Sequence, residues 1–420
     1  MKKFIKILLL VVGIIIVLIG GALLYLNFSG LPTYTDVKRP DLKVDITSVR
    51  VERGKKIASM ICAGCHLDQK TGKLTGHRLD EMPKQFGTIY SQNLTHDPTY
   101  GIGTWKDGEI AFFLRTGIHR DGRFVPPYMP KFPHMGEEDL LSVIAFLRSD
   151  DSLVAPMAVA DTPCRPSILS KFLARMVFHP LEYPKAAIPV PDTADMVALG
   201  KYWHTNLGCY QCHSADFKTN DIMEPEKSKG FLAGGNELMN LEGKAVHTPN
   251  ITMDKGTGIG KWTEDEFLRA IRDGFRPDNS YMHYPMERYP ELTDKEIRGI
   301  YQYIHSQPAV VHNVERNDYG VQLAANASDG EKIYMKYGCN ACHGLQGYGA
   351  CDLREAYKKY RSNDELIVWI RNPSKIVPGT KMPTWEGVIK DAEYPSLAEY
   401  VRKLGENSHT GNVAKASALK

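Results

Sequence analysis

Three stretches of the chain each place two thiols and an imidazole within five residues: Cys62-Ala-Gly-Cys65-His66, Cys209-Tyr-Gln-Cys212-His213 and Cys339-Asn-Ala-Cys342-His343. CxxCH is the attachment signature of c-type haem. The thiols add across the porphyrin vinyl groups as thioethers, and the adjoining imidazole is set to bind the iron. A lone CxxC is equally compatible with a redox dithiol or half a zinc site, but three CxxCH stretches at comparable positions in a repeated pattern predict three covalently bound haem c groups.

With a histidine on one side of each iron, the second axial position decides between electron carriage and catalysis. The candidates are Met129 in Pro127-Tyr-Met129-Pro, Met286 in Tyr284-Pro-Met286-Glu and Met382 in Gly379-Thr-Lys-Met382-Pro. Met129 and Met286 stand fourteen residues beyond Arg115 and Arg272 and eighteen before Leu147 and Ile304, and all three methionines adjoin a proline. The expected iron ligands are therefore His66 with Met129, His213 with Met286, and His343 with Met382. Met135 and Met282 do not recur between repeats; histidine ligation of one haem, by His134 or His283, stays open.

The elements that must position these groups repeat as well. Gly54, Gly200 and Gly330 stand eight or nine residues before the first cysteine of their motifs, each opening a short helix-compatible segment. Asn93-Leu-Thr-His-Asp-Pro-Thr-Tyr-Gly101-Ile-Gly103-Thr-Trp105 matches Asn250-Ile-Thr-Met-Asp-Lys-Gly-Thr-Gly258-Ile-Gly260-Lys-Trp262, so the first two repeats are internal duplicates. Their N-x-T and G-I-G segments read as structural turns rather than glycosylation or phosphate sites, because they recur together and lack a preceding strand.

A middle helix carries Ile110, Phe113 and Leu114; Phe267, Ala270 and Ile271; or Leu366, Trp369 and Ile370, always at i, i+3, i+4. Thr263 with Glu266 and Ser362 with Glu365 have capping-box spacing. Arg115, Arg272 and Arg371 close these helices, either as haem-propionate partners or as solvated helix-end charges. A last helix repeats Leu140, Val143, Ile144 and Leu147; Ile297, Ile300, Tyr301 and Ile304; and Leu397, Tyr400, Val401 and Leu404, an apolar face expected to pack on the first helix of its own repeat.

Lys2, Lys3 and Lys6 precede an uncharged stretch from Ile7 to Leu26. Its twenty residues rise about 30 Å as a helix, enough to span a bilayer. The lysines stay cytoplasmic, which predicts a single-pass protein of the cytoplasmic (inner) membrane with its haem domains on the periplasmic side. A cleaved signal ending near Gly20 to Ala22 gives the same compartment without an anchor.

The expected organisation is an anchor over 1–28, a tether to about 50, and domains over 50–150, 196–306 and 325–405, with a polar, disordered tail over 406–420. Residues 151–195 are an ordered connector, rich in proline but holding the apolar run Ile168 to Phe178. Residues 306–326 form a second linker. A net charge of +3 supplies no basic field for nucleic acid. Cys164 and Cys351 lie outside the three motifs and read as independent buried thiols, with a disulfide between them as the open alternative.

Taken together, the chain resembles the membrane-anchored triheme cytochrome c subunit of bacterial periplasmic dehydrogenases acting on alcohols, aldehydes or gluconate. Residues 50 to 310 carry the resemblance, most clearly Asn250, Thr252, Gly258, Gly260, Trp262 and Met286; the third domain, with Val377-Pro-Gly-Thr-Lys-Met382-Pro, is similar to single-haem class I cytochromes. The resemblance implies a mostly α fold of three tandem class I cytochrome c-like domains after one transmembrane helix. It also implies an electron-transfer subunit, not itself an enzyme, that draws on a periplasmic dehydrogenase catalytic subunit or other redox protein and delivers to quinone, a terminal oxidase or another respiratory acceptor. The alternative is a peroxidase-like haem enzyme with one open iron, but no acid/base constellation stands beside a candidate open haem.

Overall fold

The computed structural model describes residues 2–409, except 69, 80–81, 241–243, 279, 283, 316–325, 346, 348–351, 377–379 and 381. The chain divides into two compact units, Met1–Val190 and Pro191–Lys420.

The first unit begins with α1 (Lys2–Phe28), one continuous helix of 27 residues. None of its apolar window is buried by protein, so its leucines and isoleucines are left for another apolar medium. The segment after it, expected as a tether, packs against the unit. Its backbone finds fixed partners: Tyr34 N donates to the Gly122 carbonyl (2.8 Å) and Val44 N to Asp107 Oδ2 (2.9 Å).

There follow α2 (Ser48–Ile61), α3 (Ala63–His66), β1 (Gly87–Thr88), α4 (Asp107–Thr116), α5 (Glu137–Leu147), β2 (Arg165–Pro166) and α6 (Ile168–Met176). Residues 151–190 fold back on the unit: β2 pairs antiparallel with β1, Gly87 opposite Pro166, and Glu137 N donates to the Ile188 carbonyl (2.7 Å).

The second unit contains α7 (Met196–Asn206), α8 (Cys209–His213), the hairpin β3 (Glu237–Met239) and β4 (Ala245–His247), α9 (Glu264–Asp273), α10 (Asp294–Ser306), α11 (Asp329–Lys336), α12 (Asn340–His343), α13 (Ala356–Lys359), α14 (Asn363–Arg371), α15 (Pro373–Ile376) and α16 (Tyr394–His409). The helix α16 runs through His409, into the stretch expected as a tail from 406; residues 410–420 lie outside the described residues. The linker expected after 306 is likewise engaged at its start, where the Val310 carbonyl accepts from Asn250 Nδ2 (2.8 Å).

The same crossing recurs three times, α2 on α5, α7 on α10 and α11 on α16. The predicted stripes supply it: Leu140, Val143, Ile144, Leu147, Ile297, Ile300, Ile304, Leu397 and Val401 are buried. Backbone contact at each crossing leaves no room for a side chain. A Cβ on Gly54 would lie 1.9 Å from the Ser142 carbonyl oxygen, on Gly200 1.8 Å from that of Gly299, and on Gly330 2.1 Å from that of Ser396.

Each of the three recurrent arginines ties its middle helix to the start of the last, and Arg115 is buried rather than solvated. Arg115, 1% exposed, donates to the Phe132 carbonyl (2.8 Å) and reaches Glu137 at 3.4 Å. Arg272 donates to Asp294, and Arg371 Nη2 lies 2.8 Å from Asp391 with its guanidinium over the Tyr394 ring. Of the predicted capping boxes, Thr263 with Glu266 is complete. At α14 Ser362 caps the Glu365 amide, while the Glu365 carboxylate turns to the Arg361 amide.

Candidate functional site

Each CxxCH stretch forms a single helical turn: the first runs on directly from α2 through Cys62, whereas Gly208 and Gly338, both at positive φ, stand between α7 or α11 and the turn that follows. His66 N donates to the Cys62 carbonyl (2.9 Å) and His343 N to that of Cys339 (3.0 Å), so the turn holds both thiols and the imidazole on one short, rigid segment.

In the first two repeats the loop ahead of the N-x-T turn closes over this segment in the same way. His66 Nδ1 lies 2.8 Å from the Gln92 carbonyl oxygen and His213 Nδ1 2.9 Å from that of Pro249. A carbonyl only accepts, so each Nδ1 carries the proton and each Nε2 keeps its lone pair for a metal. One residue earlier, Ser91 Oγ donates to the Cys65 carbonyl (2.5 Å) and Thr248 Oγ1 to that of Cys212 (2.8 Å). These hydroxyls were not anticipated from sequence. Their signal is a Ser or Thr two residues before the repeated asparagine.

The asparagines themselves are spent inside the fold. Asn93 Oδ1 accepts from Thr95 N (2.9 Å) and Oγ1 (2.7 Å), and Asn250 Oδ1 accepts from Thr252 N (2.9 Å) and Oγ1 (2.8 Å). Their amides donate to carbonyls of the following segment, Met157 and Val159 in one case and Val310 in the other. A Cβ on Gly101 or Gly258 would stand 2.2 Å from the Thr95 or Thr252 carbonyl oxygen, so the G-I-G segments are tight turns, as expected.

Burial sets the electrostatics. It pushes the Cys62, Cys209 and Cys339 thiols up to about 12, and it pulls the His66 imidazole down to about 4 and that of His213 below its ordinary value. Neutral imidazoles with a free Nε2 are what iron ligation requires. Paired thiols beside an oriented, neutral imidazole are the donor set of haem c, and the residues fit that group.

The candidate distal residues sit on loops between the middle and last helices. Met129, Met286 and Met382 are half-buried, whereas Met135 and Met282 are core residues at 2% and 9% exposure. Met129 is held by its backbone: its N–H donates to the Pro126 carbonyl (3.2 Å), and Lys131 Nζ donates to its carbonyl (2.9 Å) and to that of Val125 (2.6 Å). Burial brings the Lys131 ammonium down to about 7. Met382 N donates to Thr380 Oγ1 (3.2 Å). His134 is half-buried, and His283 lies outside the described residues. Cys164 Sγ donates to the Tyr90 carbonyl (3.2 Å); Cys351 lies outside the described residues.

Two family models match: "Cytochrome c" over residues 51–150 and "Cytochrome C oxidase, cbb3-type, subunit III" over residues 325–401. Among curated relatives, the cytochrome c subunit of the quinone-type alcohol dehydrogenase of Gluconacetobacter polyoxogenes is 26% identical over 90% of this chain and 85% of its own length. The fructose dehydrogenase cytochrome subunit of Gluconobacter japonicus is 27% identical over 72% of this chain and 65% of its own. The gluconate 2-dehydrogenase cytochrome c subunit of Pantoea cypripedii is 28% identical over 71% and 69%. A cytochrome c domain carries covalently bound haem c. With cytochrome c domains in both units and the cytochrome subunits of several dehydrogenases among its relatives, the chain is a multihaem-type c cytochrome whose work is electron transfer.

Proposed function

We propose that the chain carries three haem c groups and transfers electrons from a periplasmic dehydrogenase partner to quinone or another respiratory acceptor. The observation that carries this reading is the duplicated arrangement beneath two CxxCH turns, in which a backbone carbonyl fixes the imidazole tautomer and a hydroxyl fixes the second cysteine. Cys62, Cys65, Cys209, Cys212, Cys339 and Cys342 hold the groups, and His66, His213 and His343 bind the irons. Met129, Met286 and Met382 close the opposite faces. When bound, haem supplies reversible one-electron chemistry at high potential under His/Met ligation.

The chain's own residues orient those ligands, exclude water and leave no coordination position for an organic substrate. The relatives are subunits of alcohol, fructose and gluconate dehydrogenases, which supports a partner of that kind. Three domains, over 50–150, 196–306 and 325–405, house the haems. The helix over Lys3–Phe28 supports single-pass anchoring in the cytoplasmic membrane with these domains on the periplasmic side.

The test is isolation of the detergent-solubilised chain from native membranes. A dehydrogenase should accompany it, and that enzyme's substrate should reduce the haems; the chain stripped of its companion should turn over no alcohol, aldehyde or sugar acid with an artificial acceptor. Turnover by the stripped chain would overturn the proposal.

A further inference from the structure

The helix α6 is built the wrong way round for a soluble connector. Its small residues face the protein, with Ser170 3% and Ala174 0% exposed, while Ile168, Leu169, Phe172 and Met176, and Val177 just beyond, stand in the open. Burial of apolar surface normally sorts these residues in the opposite sense. Five large apolar side chains on nine residues and their immediate flank form a contiguous patch, not scattered exposure.

The helix is fixed at one place in the fold, the exit of α1. Lys171 Nζ donates to the Asn27 carbonyl (2.7 Å), Arg175 Nη2 donates to the Gly30 carbonyl (2.7 Å), and the Arg175 guanidinium lies 5.6 Å from the centre of the Tyr25 ring. Two cations thus hold the carbonyl end of the apolar helix, where the helix dipole favours positive charge. The other side of α6 is pinned to the body of the unit: Ser167 Oγ donates to the Gln85 carbonyl (2.6 Å) and Ser170 Oγ to that of Phe86 (2.7 Å).

We propose that α6 is an interfacial helix, its Leu169, Phe172 and Met176 face buried in the outer leaflet of the bilayer that α1 spans. The inference rests on the anchor reading of α1 and adds a second contact to it. Continuity with α1 identifies lipid as the occupant: a patch held at the level of Asn27 and Gly30 lies at the boundary between hydrocarbon and headgroups. Lys171 and Arg175 on its flank meet the chemistry of anionic headgroups, and an apolar face with basic borders is the make-up of helices that lie in that plane. A single span leaves a domain free to tilt and rotate. A second, inflexible contact through α6 would set the first unit's orientation to the membrane surface.

The experiment reconstitutes the full-length holoprotein, alone, in vesicles of phosphatidylethanolamine and phosphatidylglycerol containing a phospholipid with a diazirine on its acyl chain. After photolysis, adducts are mapped by peptide mass spectrometry. The expected result is adducts on Leu169, Phe172, Met176 and Val177 at a density comparable with that on Tyr25 and Phe28, and their loss from this segment in the double variant F172E/M176E with labelling of α1 retained. Adducts on α1 with none on 168–177 would overturn the inference while leaving the anchor standing, and would identify the patch as a docking face for protein. Adducts on neither segment would overturn both.

Discussion

Replacing Gly200 by alanine tests the helix crossing on which each repeat is built. The new methyl carbon would stand 1.8 Å from the Gly299 carbonyl oxygen and 2.2 Å from its carbon. Ordinary contact is about 3.5 Å, so α7 and α10 must part by roughly 1.5 Å, and since the obstructing atoms are backbone no rotamer change relieves them. Overpacking of this kind costs about 1–3 kcal/mol, and the upper end applies where neither side can yield. Alanine regains about 1 kcal/mol of helix propensity, leaving a net loss of about 2 kcal/mol, a large share of the ~5–15 kcal/mol that holds a domain together.

Gly299 supplies the internal control, because a Cβ there meets its nearest atom at 3.0 Å and needs only a small adjustment. Guanidinium unfolding of the detergent-solubilised holoprotein, followed at the Soret band and in the far ultraviolet, should show G200A losing stability and G299A losing less. Gly54→Ala and Gly330→Ala should behave like G200A, because their Cβ positions also fall on backbone carbonyls. If G200A matches or exceeds the parent in stability, helix propensity has outweighed the contact and the close-approach argument is wrong.

Intact mass of the denatured, matured protein should exceed the polypeptide by three haems, and two or fewer would refute the count. Met129→His, Met286→His or Met382→His should each remove about one third of the far-red thioether-to-iron absorption and lower one potential of three, and the alanine variants should create one reduced iron that binds carbon monoxide. Stoichiometric carbon monoxide binding by the unmodified protein would mean an open haem. Arg115→Met should destabilise the first unit by about 1–3 kcal/mol by stranding the Phe132 carbonyl, whereas Arg371→Met, whose partner Asp391 is exposed, should cost roughly 0.2–1 kcal/mol. Equal losses at the two sites would show that burial does not set the value of these ties.

What could be read from sequence was whatever repeats and whatever has a side chain of distinctive chemistry. The i, i+3, i+4, i+7 stripes, the glycines at the crossings and the CxxCH turns are of that kind, and the structure places the stripes against the glycines. The second half of each imidazole's environment was hidden because it is backbone: the Gln92 and Pro249 carbonyls hold His66 and His213, and any residue type offers a carbonyl. The partners of the recurrent arginines are hidden for a related reason. Glu137, Asp294 and Asp391 lie about twenty residues away, and a helix-end arginine looks the same whether it faces water or the next helix.

The second and third repeats lie in one compact unit, and a loop length sets the third apart. About forty residues separate α3 from α4 and about fifty separate α8 from α9, but only about twenty separate α12 from α14. The third repeat therefore lacks the long N-x-T loop that covers its counterparts, and its core is completed by aromatic residues of the second. Phe275 and Tyr281 pack on Trp385 with ring centres 5.4 and 5.6 Å apart, Tyr337 joins them at 6.2 Å from Trp385, and the cluster runs on to Tyr394 and Leu397. Tyr281 also stands against the third attachment segment: a Cβ on Gly338 would lie 2.9 Å from the Tyr281 Cβ. Because edge-to-face aromatic pairs add about 0.5–1.5 kcal/mol each to the burial of their area, this junction belongs to the stability of both repeats at once. Trp385 is three residues from Met382, so the core shared with the second repeat also supports the loop that carries the third repeat's candidate iron ligand.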